Sequence, residues 1–123
     1  MSKRTPKTVP RFQTPIIETH CHLDYLAQDT IADELHAITE AGVERIVTIA
    51  VSADNLKTVL SLCNQHEHIW GTQGIHPHEA SSWTPSVAQA VAQGASHPKV
   101  VAIGEIGLDY YYEHASPQSQ IAA

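Results

Sequence analysis

The sequence predicts an α/β fold built on a parallel β-sheet. Short apolar runs of strand length alternate along the chain with segments whose apolar residues recur at helical spacing. The lengths of both kinds of segment suit right-handed crossover units, in which a helix connects two parallel strands. With 123 residues, 42% of them hydrophobic, the chain is long enough for one domain with a core of its own.

Four apolar runs are predicted as strands, and they cover residues 16–20, 43–51, 69–75 and 100–103. The second run is rich in Val, Ile and Thr, which favour strands. Gly71 and Gly74 weaken the third run, because a glycine offers no side chain to pack.

The segments between these runs are predicted as helices. Asp29 or Thr30 would cap the first helix, and Gly42 would end it. Apolar residues at i, i+3, i+4 and i+7 define one face of the second helix. They are Leu56, Val59, Leu60 and Cys63.

The last two predicted helices have clear start signals. Thr84 as cap and Pro85 at the first helical position begin the third helix, which should end near Gly94. Ser116 and Pro117 open a fourth helix, and the sequence ends within its first turns.

Basic residues are concentrated near the amino terminus. Four of the seven lysines and arginines lie within residues 1–14, which we predict to be a disordered basic tail; a phosphate-contacting arm is the alternative. After Arg11, three basic residues face thirteen acidic ones, a net charge of −10. The part of the protein after Arg11 would therefore repel polyanions. The charge of a phosphate substrate must then be neutralised mainly by metal ions and neutral hydrogen-bond donors.

The sequence predicts a soluble, cytoplasmic protein. No apolar stretch approaches the roughly 20 residues of a membrane span, and the amino terminus has no hydrophobic run like that of a secretory signal. Cys21 and Cys63 lie in different elements without a CxxC motif, so neither a disulfide framework nor a cysteine-based zinc site is indicated. Cys21 is expected to pack as a small apolar side chain.

Six of the nine histidines form pairs separated by one residue. These pairs are His20/His22, His66/His68 and His76/His78. The first and third pairs follow predicted strands, whereas the second precedes one. Because parallel sheets build their sites at the carboxyl ends of strands, the first and third pairs should share an edge with Glu105, and the second pair should not.

His20, His22 and Glu105 are predicted to form a metal site. Alternate residues of a strand point to the same side, so both imidazoles can converge with a carboxylate from another strand end. We favour this interpretation over a hydrogen-bonded histidine pair, and this donor set suits Zn, Mn or Mg. Glu18 lies two residues before His20. It would ligate the metal, orient a histidine from behind, or stay an exposed carboxylate.

Glu105 lies in the segment Gly104-Glu105-Ile106-Gly107, whose glycines would let the backbone approach an ion or substrate closely. A carboxylate can bridge two cations about 3.5 to 4 Å apart, and a water activated there becomes the nucleophile of a hydrolysis. Asp109 is a further ligand, an acceptor behind the ligands, or the cap of a turn. The three tyrosines at 110–112 offer stacking faces for a base or hydroxyls for phosphate, with packing under the sheet edge as the equal alternative.

Three segments carry a family resemblance. They read IETHCHLD at 17–24, GIHPH at 74–78 and VAIGEIGLDY at 101–110, and in this order they resemble the TatD family of metal-dependent deoxyribonucleases. The similarity covers nearly everything after the tail. It implies a TIM-barrel-like fold of the wider amidohydrolase group and hydrolysis of DNA phosphodiesters with one or two divalent metal ions.

The resemblance also implies roles for individual residues. His20 and His22 would hold one metal, Glu105 would act catalytically by bridging two, and His76 and His78 would contact the substrate or its phosphate. Glu18 stands where the family usually has aspartate. The longer glutamate side chain preserves the negative charge but shifts the position of the carboxylate.

A complete βα barrel has eight strands and about 250 residues, and this sequence predicts four strands. Residues 15–123 are therefore expected to be the amino-terminal half of such a barrel, truncated in the fourth helix. The resemblance implies further metal ligands on later strands, two histidines and an aspartate, which have no counterpart here. Three functions stay open: a metal-dependent hydrolase incomplete in this chain, an inactive fragment acting as a binding or assembly module, and a related amidohydrolase with another substrate. The open sheet edges predict self-association.

Overall fold

The computed structural model describes residues 8, 10–25 and 31–123. Its strands, in chain order, are β1 (Ile16–Cys21), β2 (Val43–Thr48), β3 (Ile69–Gln73) and β4 (Val100–Ile103). They form one sheet in the order β1-β2-β3-β4, and each neighbouring pair is parallel. The predicted α/β class with a parallel sheet is therefore confirmed.

The helices alternate with these strands. They are α1 (Ile31–Glu40), α2 (Leu56–Gln65), α3 (Pro85–Ala95) and α4 (Pro117–Ala122), with short 3-10 helices at Leu23–Tyr25 and Pro77–Ser82. In the portion of the chain that is described, none of them is both long enough and apolar enough to cross a membrane.

The predicted starts of α3 and α4 are correct. The Thr84 hydroxyl accepts a hydrogen bond from the Val87 amide at 3.2 Å, and the Ser116 hydroxyl accepts one from the Ser119 amide at 3.1 Å. Each bond satisfies an amide that has no partner within its own helix. The proposed caps at Asp29 and Thr30, and most of the basic tail, lie outside the described residues.

The second and third strands are shorter than predicted, because the backbone beyond β2 bonds to side chains and the backbone beyond β3 turns into a 3-10 helix. The predicted run 43–51 ends as a strand at Thr48, after which the Ala50 amide donates to the Thr72 hydroxyl and the Val51 amide donates to the Asn55 side chain. The 3-10 helix that follows β3 was not predicted. It begins after His76, whose ring nitrogen accepts the His78 amide at 3.1 Å.

The hydrophobic core lies between the sheet and the helices, and α2 packs against β3 at Gly71. A Cβ atom at Gly71 would stand 2.7 Å from a Val59 methyl carbon and 2.8 Å from the Cys63 sulfur, so the helix and strand meet without an intervening side chain. The buried core residues are Leu23, Ile31, Ile46, Ala50, Leu56, Val59, Leu62, Cys63, Ile69, Ile75 and Val91.

The two outer strands, β1 and β4, each have one strand neighbour among the described residues. Apolar side chains along them remain accessible: Ile17 is 57% exposed, Val101 55% and Ile103 54%. Exposed apolar edges of this kind pair readily with other chains.

Candidate active site

The polar pocket of about 330 Å³ lies at the carboxyl ends of the strands. Strand β1 leads into His20 and His22, β3 leads into His76 and His78, and β4 leads into Glu105. Its lining residues are His20, His22, Tyr25, Val51, His76, His78, Glu79 and Glu105. Parallel packing of three strands thus brings together residues that are far apart in the sequence.

His20, His22 and Glu105 form a compact group of potential metal ligands. One ligand atom from each lies within 4.8 Å of the others. His20 Nε2 is 3.4 Å from Glu105 Oε2, and the two imidazole rings are 5.3 Å apart edge to face. His22 Nδ1 is buried without a hydrogen-bond partner among the described residues. Two imidazoles and a carboxylate are the donor set that Zn, Mn or Mg accepts, so the residues fit a divalent cation.

Glu105 contacts both histidine pairs. Its second carboxylate oxygen, Oε1, lies 3.4 Å from His76 Nε2, whereas Oε2 contacts His20. The Glu105 amide donates to the Ala50 carbonyl oxygen at 3.3 Å, which ties the residue to the end of β2. The carboxylate therefore joins the imidazoles that follow β1 and β3.

Close contact between backbones sets the position of Glu105. A Cβ atom at Gly74 would lie 2.6 Å from the carbonyl carbon of Gly104, the residue that precedes Glu105. At Gly104 itself a Cβ atom would meet nothing within 4 Å. Gly74, just after β3, is thus the glycine that permits the close approach. A methyl group at Gly104 would meet no neighbouring atom within 4 Å.

Glu18 lies behind the ligand group. Its carboxylate accepts a hydrogen bond from the His20 amide at 2.8 Å, so it fixes the main chain of His20. Its oxygens do not belong to the group of ligand atoms found in the described residues. Glu18 is exposed, and this bond reaches the main chain of His20 and not its ring, so its role at the site stays a prediction.

Asp109 joins the pocket to the loop that follows β4. One carboxylate oxygen lies 3.0 Å from His78 Nε2, and the other accepts the amides of Tyr111 and Tyr112 at 2.9 and 3.3 Å. The bond with His78, followed by that with the Tyr111 amide, lowers the pKa of Asp109 below its ordinary value. Asp109 therefore caps a turn and holds His78 at once, outside the ligand group around Glu105.

The remaining histidine pair lies at the opposite end of the sheet, as expected. His66 caps the carboxyl end of α2, and the carbonyl oxygen of His68 accepts the amide of Ile46 at 3.0 Å. Both positions precede β3, whereas the pocket lies where β3 ends.

Several residues of the site region were not predicted. The Tyr25 ring stacks on His22 with centroids 5.2 Å apart, and the His114 ring lies 4.3 Å from that of His78. Asn55 accepts the amides of Val51 and Ser52 at 3.0 Å and donates to Asp24 at 2.8 Å, which joins the loops after β1 and β2. An asparagine just before a helix is a cap signal in sequence, and nothing in its local pattern indicates a partner 31 residues away.

Residues 17–123 match the protein family described as TatD related DNase. The chain is 38% identical over 80 residues to the 3'-5' ssDNA/RNA exonuclease TatD of Salmonella typhimurium, a match that covers 65% of this chain and 31% of that protein. It is 39% identical over 83 residues to the protein of the same name from Klebsiella pneumoniae, covering 68% and 32%. The chain thus spans about a third of the length of these curated relatives.

A solved structure of a TatD homologue shares the fold of this chain. The chain superposes on YJJV, a TatD homologue from Escherichia coli K12, with a TM-score of 0.67 and 30% identity, over 86% of this chain and 40% of that one. The parallel βα repeats therefore correspond to part of a TIM-barrel-like fold, as the resemblance of the three sequence segments implied.

Proposed function

We propose that this chain, which belongs to the TatD-related DNase family, binds one or two divalent metal ions and serves the hydrolysis of phosphodiester bonds in nucleic acid. The observation that supports the proposal is the convergence of His20, His22 and Glu105 from the ends of β1 and β4, with ligand atoms within 4.8 Å of one another. The names of the relatives, ssDNA/RNA exonucleases, point to the same class of reaction.

In this proposal the imidazoles of His20 and His22 hold a cation together with Glu105. A divalent cation bound there supplies a Lewis acid and lowers the pKa of water towards neutrality. The second oxygen of Glu105 lies 3.4 Å from His76 Nε2, which supports the proposal that this carboxylate would hold a second cation as well. Glu18 keeps the backbone of His20 in place from behind.

His76 and His78 are proposed to bind the substrate phosphate. Both line the pocket beside Glu105, and their rings are 4.4 Å apart. Asp109 holds the His78 ring through the 3.0 Å contact at Nε2, and when the ring is the imidazolium its Nδ1 also carries a proton that it can donate to a phosphate oxygen. The net charge of −10 after Arg11 makes such local donors necessary, because the body of the protein does not attract a polyanion.

A second candidate is a binding or assembly module without turnover. It is favoured by the number of ligands, since the described residues bring three ligand side chains together. Three protein ligands suffice to bind a cation, whereas a bridging carboxylate serves catalysis only when a second cation has ligands of its own.

We also propose that the chain associates with itself through the outer strands. Ile17 on β1 and Ile103 on β4 are each more than half exposed, at 57% and 54%, on strands with one neighbour in the described sheet. Pairing of these edges would satisfy backbone groups and bury the apolar side chains. Analytical ultracentrifugation over a range of concentrations should show reversible association. A single monomeric species at all concentrations would exclude it.

The test of the hydrolase proposal compares variants of the two histidine pairs. Purified protein is incubated with single-stranded DNA and RNA in Mg, Mn or Zn, and Zn or Mn binding is measured separately by titration calorimetry. Glu105→Ala and the double variant His20→Ala/His22→Ala should lose both cleavage and metal binding. The double variant His66→Ala/His68→Ala removes the same residue types at the opposite end of the sheet and should keep both.

The outcomes separate the two candidates. Cleavage that disappears with Glu105→Ala supports the hydrolase. Metal binding that depends on Glu105 without any cleavage supports the binding module. Equal traces of cleavage in the wild type and in Glu105→Ala would indicate a contaminating nuclease and overturn the catalytic proposal.

A further inference from the structure

An exposed aromatic group adjoins the histidines of the pocket on the side of the loop that follows β4. The ring of His114 lies 4.3 Å from that of His78, and the ring of Tyr112 lies 5.8 Å from it. Tyr112 and His114 are nearly parallel to each other, with centroids 6.2 Å apart and an interplanar angle of 25°. Tyr112 is 63% exposed, so much of its surface is open to solvent.

The backbone of this loop is held in place although its rings are exposed. Asp109 accepts the amides of Tyr111 and Tyr112, and the buried side chain of Gln120 bonds the amide and carbonyl of Asp109 at 2.7 Å each. Glu113 has a φ of 46°, the left-handed region that non-glycine residues rarely adopt. This turn between Tyr112 and His114 brings both rings to the same side, next to His78.

Charge does not explain how a nucleic acid would be held at this pocket. No lysine or arginine lines it in the described part of the chain. Arg45 lies in β2 beside Glu44, and Lys99 donates to the carbonyls of Cys63 and His66 at the end of α2, away from the pocket. Proteins that bind single strands combine backbone contacts with aromatic faces on which bases stack. Here the aromatic part is present and the cationic part is lacking among the lining residues.

We propose that Tyr112 and His114 form a stacking subsite for one unpaired nucleobase of the strand whose phosphate meets His76 and His78. The inference rests on the proposed function and deepens it: the strand is recognised through the face of one base. A base inside a duplex is already stacked on its neighbours, so it reaches this subsite only after unstacking. The contact with His78 places the base next to the phosphate position.

The test measures binding without cleavage. Fluorescence anisotropy in EDTA gives the Kd of a labelled oligodeoxyadenylate of about eight nucleotides, of an abasic strand of equal length, and of the duplex. The wild type should bind the adenylate about tenfold more tightly than the abasic strand, the effect of one stacked base. Tyr112→Phe keeps the ring and should keep this ratio, whereas Tyr112→Leu should reduce it to about one. His114→Ala should reduce it by about threefold.

Phe12→Leu is the matched control. Phe12 is 54% exposed and lies beside Gly42, at the opposite end of the sheet, so its removal should leave the ratio unchanged. Equal binding of adenylate and abasic strands by the wild type, no measurable binding of either, or a ratio that survives Tyr112→Leu would each overturn the subsite. Duplex bound as tightly as the single strand would also overturn it.

Failure of the subsite and failure of the proposed function give different results. Metal-dependent cleavage that is lost in Glu105→Ala while the base preference is absent leaves the hydrolase and removes the subsite. A base preference that depends on Tyr112, without any metal-dependent cleavage, removes the hydrolase and leaves a strand-binding site.

Discussion

Gly74 lies against Gly104 so closely that a Cβ atom added to Gly74 would stand 2.6 Å from the Gly104 carbonyl carbon and 2.8 Å from its oxygen. The Gly104 amide also donates to the Gln73 carbonyl at 3.0 Å, so the ends of β3 and β4 are joined directly before the pocket. Because Glu105 is the next residue, the lack of a side chain at Gly74 determines where its carboxylate lies.

Gly74→Ala should therefore weaken metal binding and destabilise the fold. The new methyl group meets backbone, which cannot rotate aside, so we expect a loss of about 1–3 kcal/mol in the free energy of unfolding. Urea unfolding gives that loss, and calorimetric titration with Zn gives the metal affinity. Gly104→Ala is the control for stability, since its methyl group would meet nothing within 4 Å. Equal stability losses in the two variants would contradict this explanation.

Gln120→Leu should loosen the loop that carries Asp109. The Gln120 side chain is 5% exposed and bonds the amide and carbonyl of Asp109 and the carbonyl of Ala115. Leucine keeps the volume and leaves these backbone groups without partners, which costs about 1–3 kcal/mol for each group that stays buried. Urea unfolding and proteolysis of residues 109–116 report the change. Gln118→Leu, at an exposed position of the same helix, should leave both unchanged.

Asp109 should make stability depend on pH in the acid range. Its pKa is lowered in the folded protein, chiefly by the bond with His78, so the carboxylate stabilises the fold above its ordinary pKa of about 3.9. That stabilisation disappears as the pH falls through the lowered value, because protonation then breaks the bond. Melting temperatures between about pH 7 and about pH 2.5 should converge for the wild type and Asp109→Asn at the acid end. Glu67→Gln, at an exposed turn near the other end of the sheet, should show no such convergence.

Cys21 should react slowly with alkylating agents although it lies between His20 and His22. Burial, with smaller effects of Glu18 and Asp24, raises the pKa of its thiol to about 11, and its sulfur lies 3.8 Å from the Val47 carbonyl oxygen. The reactive thiolate is therefore about a hundredfold scarcer than at an ordinary cysteine. Iodoacetamide labelling followed by mass spectrometry tests this against a Ser81→Cys variant, whose new thiol is exposed. Labelling of Cys21 at the rate of the Ser81→Cys thiol would show that it is accessible as a thiolate.

The expectation that Cys21 packs as a small apolar side chain agrees with its place beside the core cluster. This packing was predictable, because successive side chains of a strand point to opposite faces. With His20 and His22 on the pocket side, Cys21 between them must point to the helices.

The ends of β2 and β3 were less predictable. Their apolar residues continue to Val51 and Ile75, but beyond β2 the amides of Ala50 and Val51 bond to the side chains of Thr72 and Asn55, and beyond β3 the His76 amide bonds to the Val51 carbonyl.

The ligand roles of His20, His22 and Glu105, the substrate role of His76 and His78, and the positions of Glu18 and Asp109 behind them stay predictions that the experiments above address. Their proximity follows from one rule, that the carboxyl ends of parallel strands meet at one edge. The contacts of Tyr25 and His114 did not follow from it, because both residues lie in loops whose path depends on packing.

The order of strands and helices and the starts of α3 and α4 are properties of the sequence, since periodicity and capping residues are local. The shared edge of two histidine pairs with Glu105 follows from the sequence once the strands are taken to be parallel, because their carboxyl ends then meet. The closeness of Gly74 to Gly104, the bonds of Asp109 to both His78 and the loop, and the contact between the rings of His114 and His78 arise from the folded chain alone. They join residues 30 or more positions apart, through distances that depend on how the strands and loops pack in three dimensions.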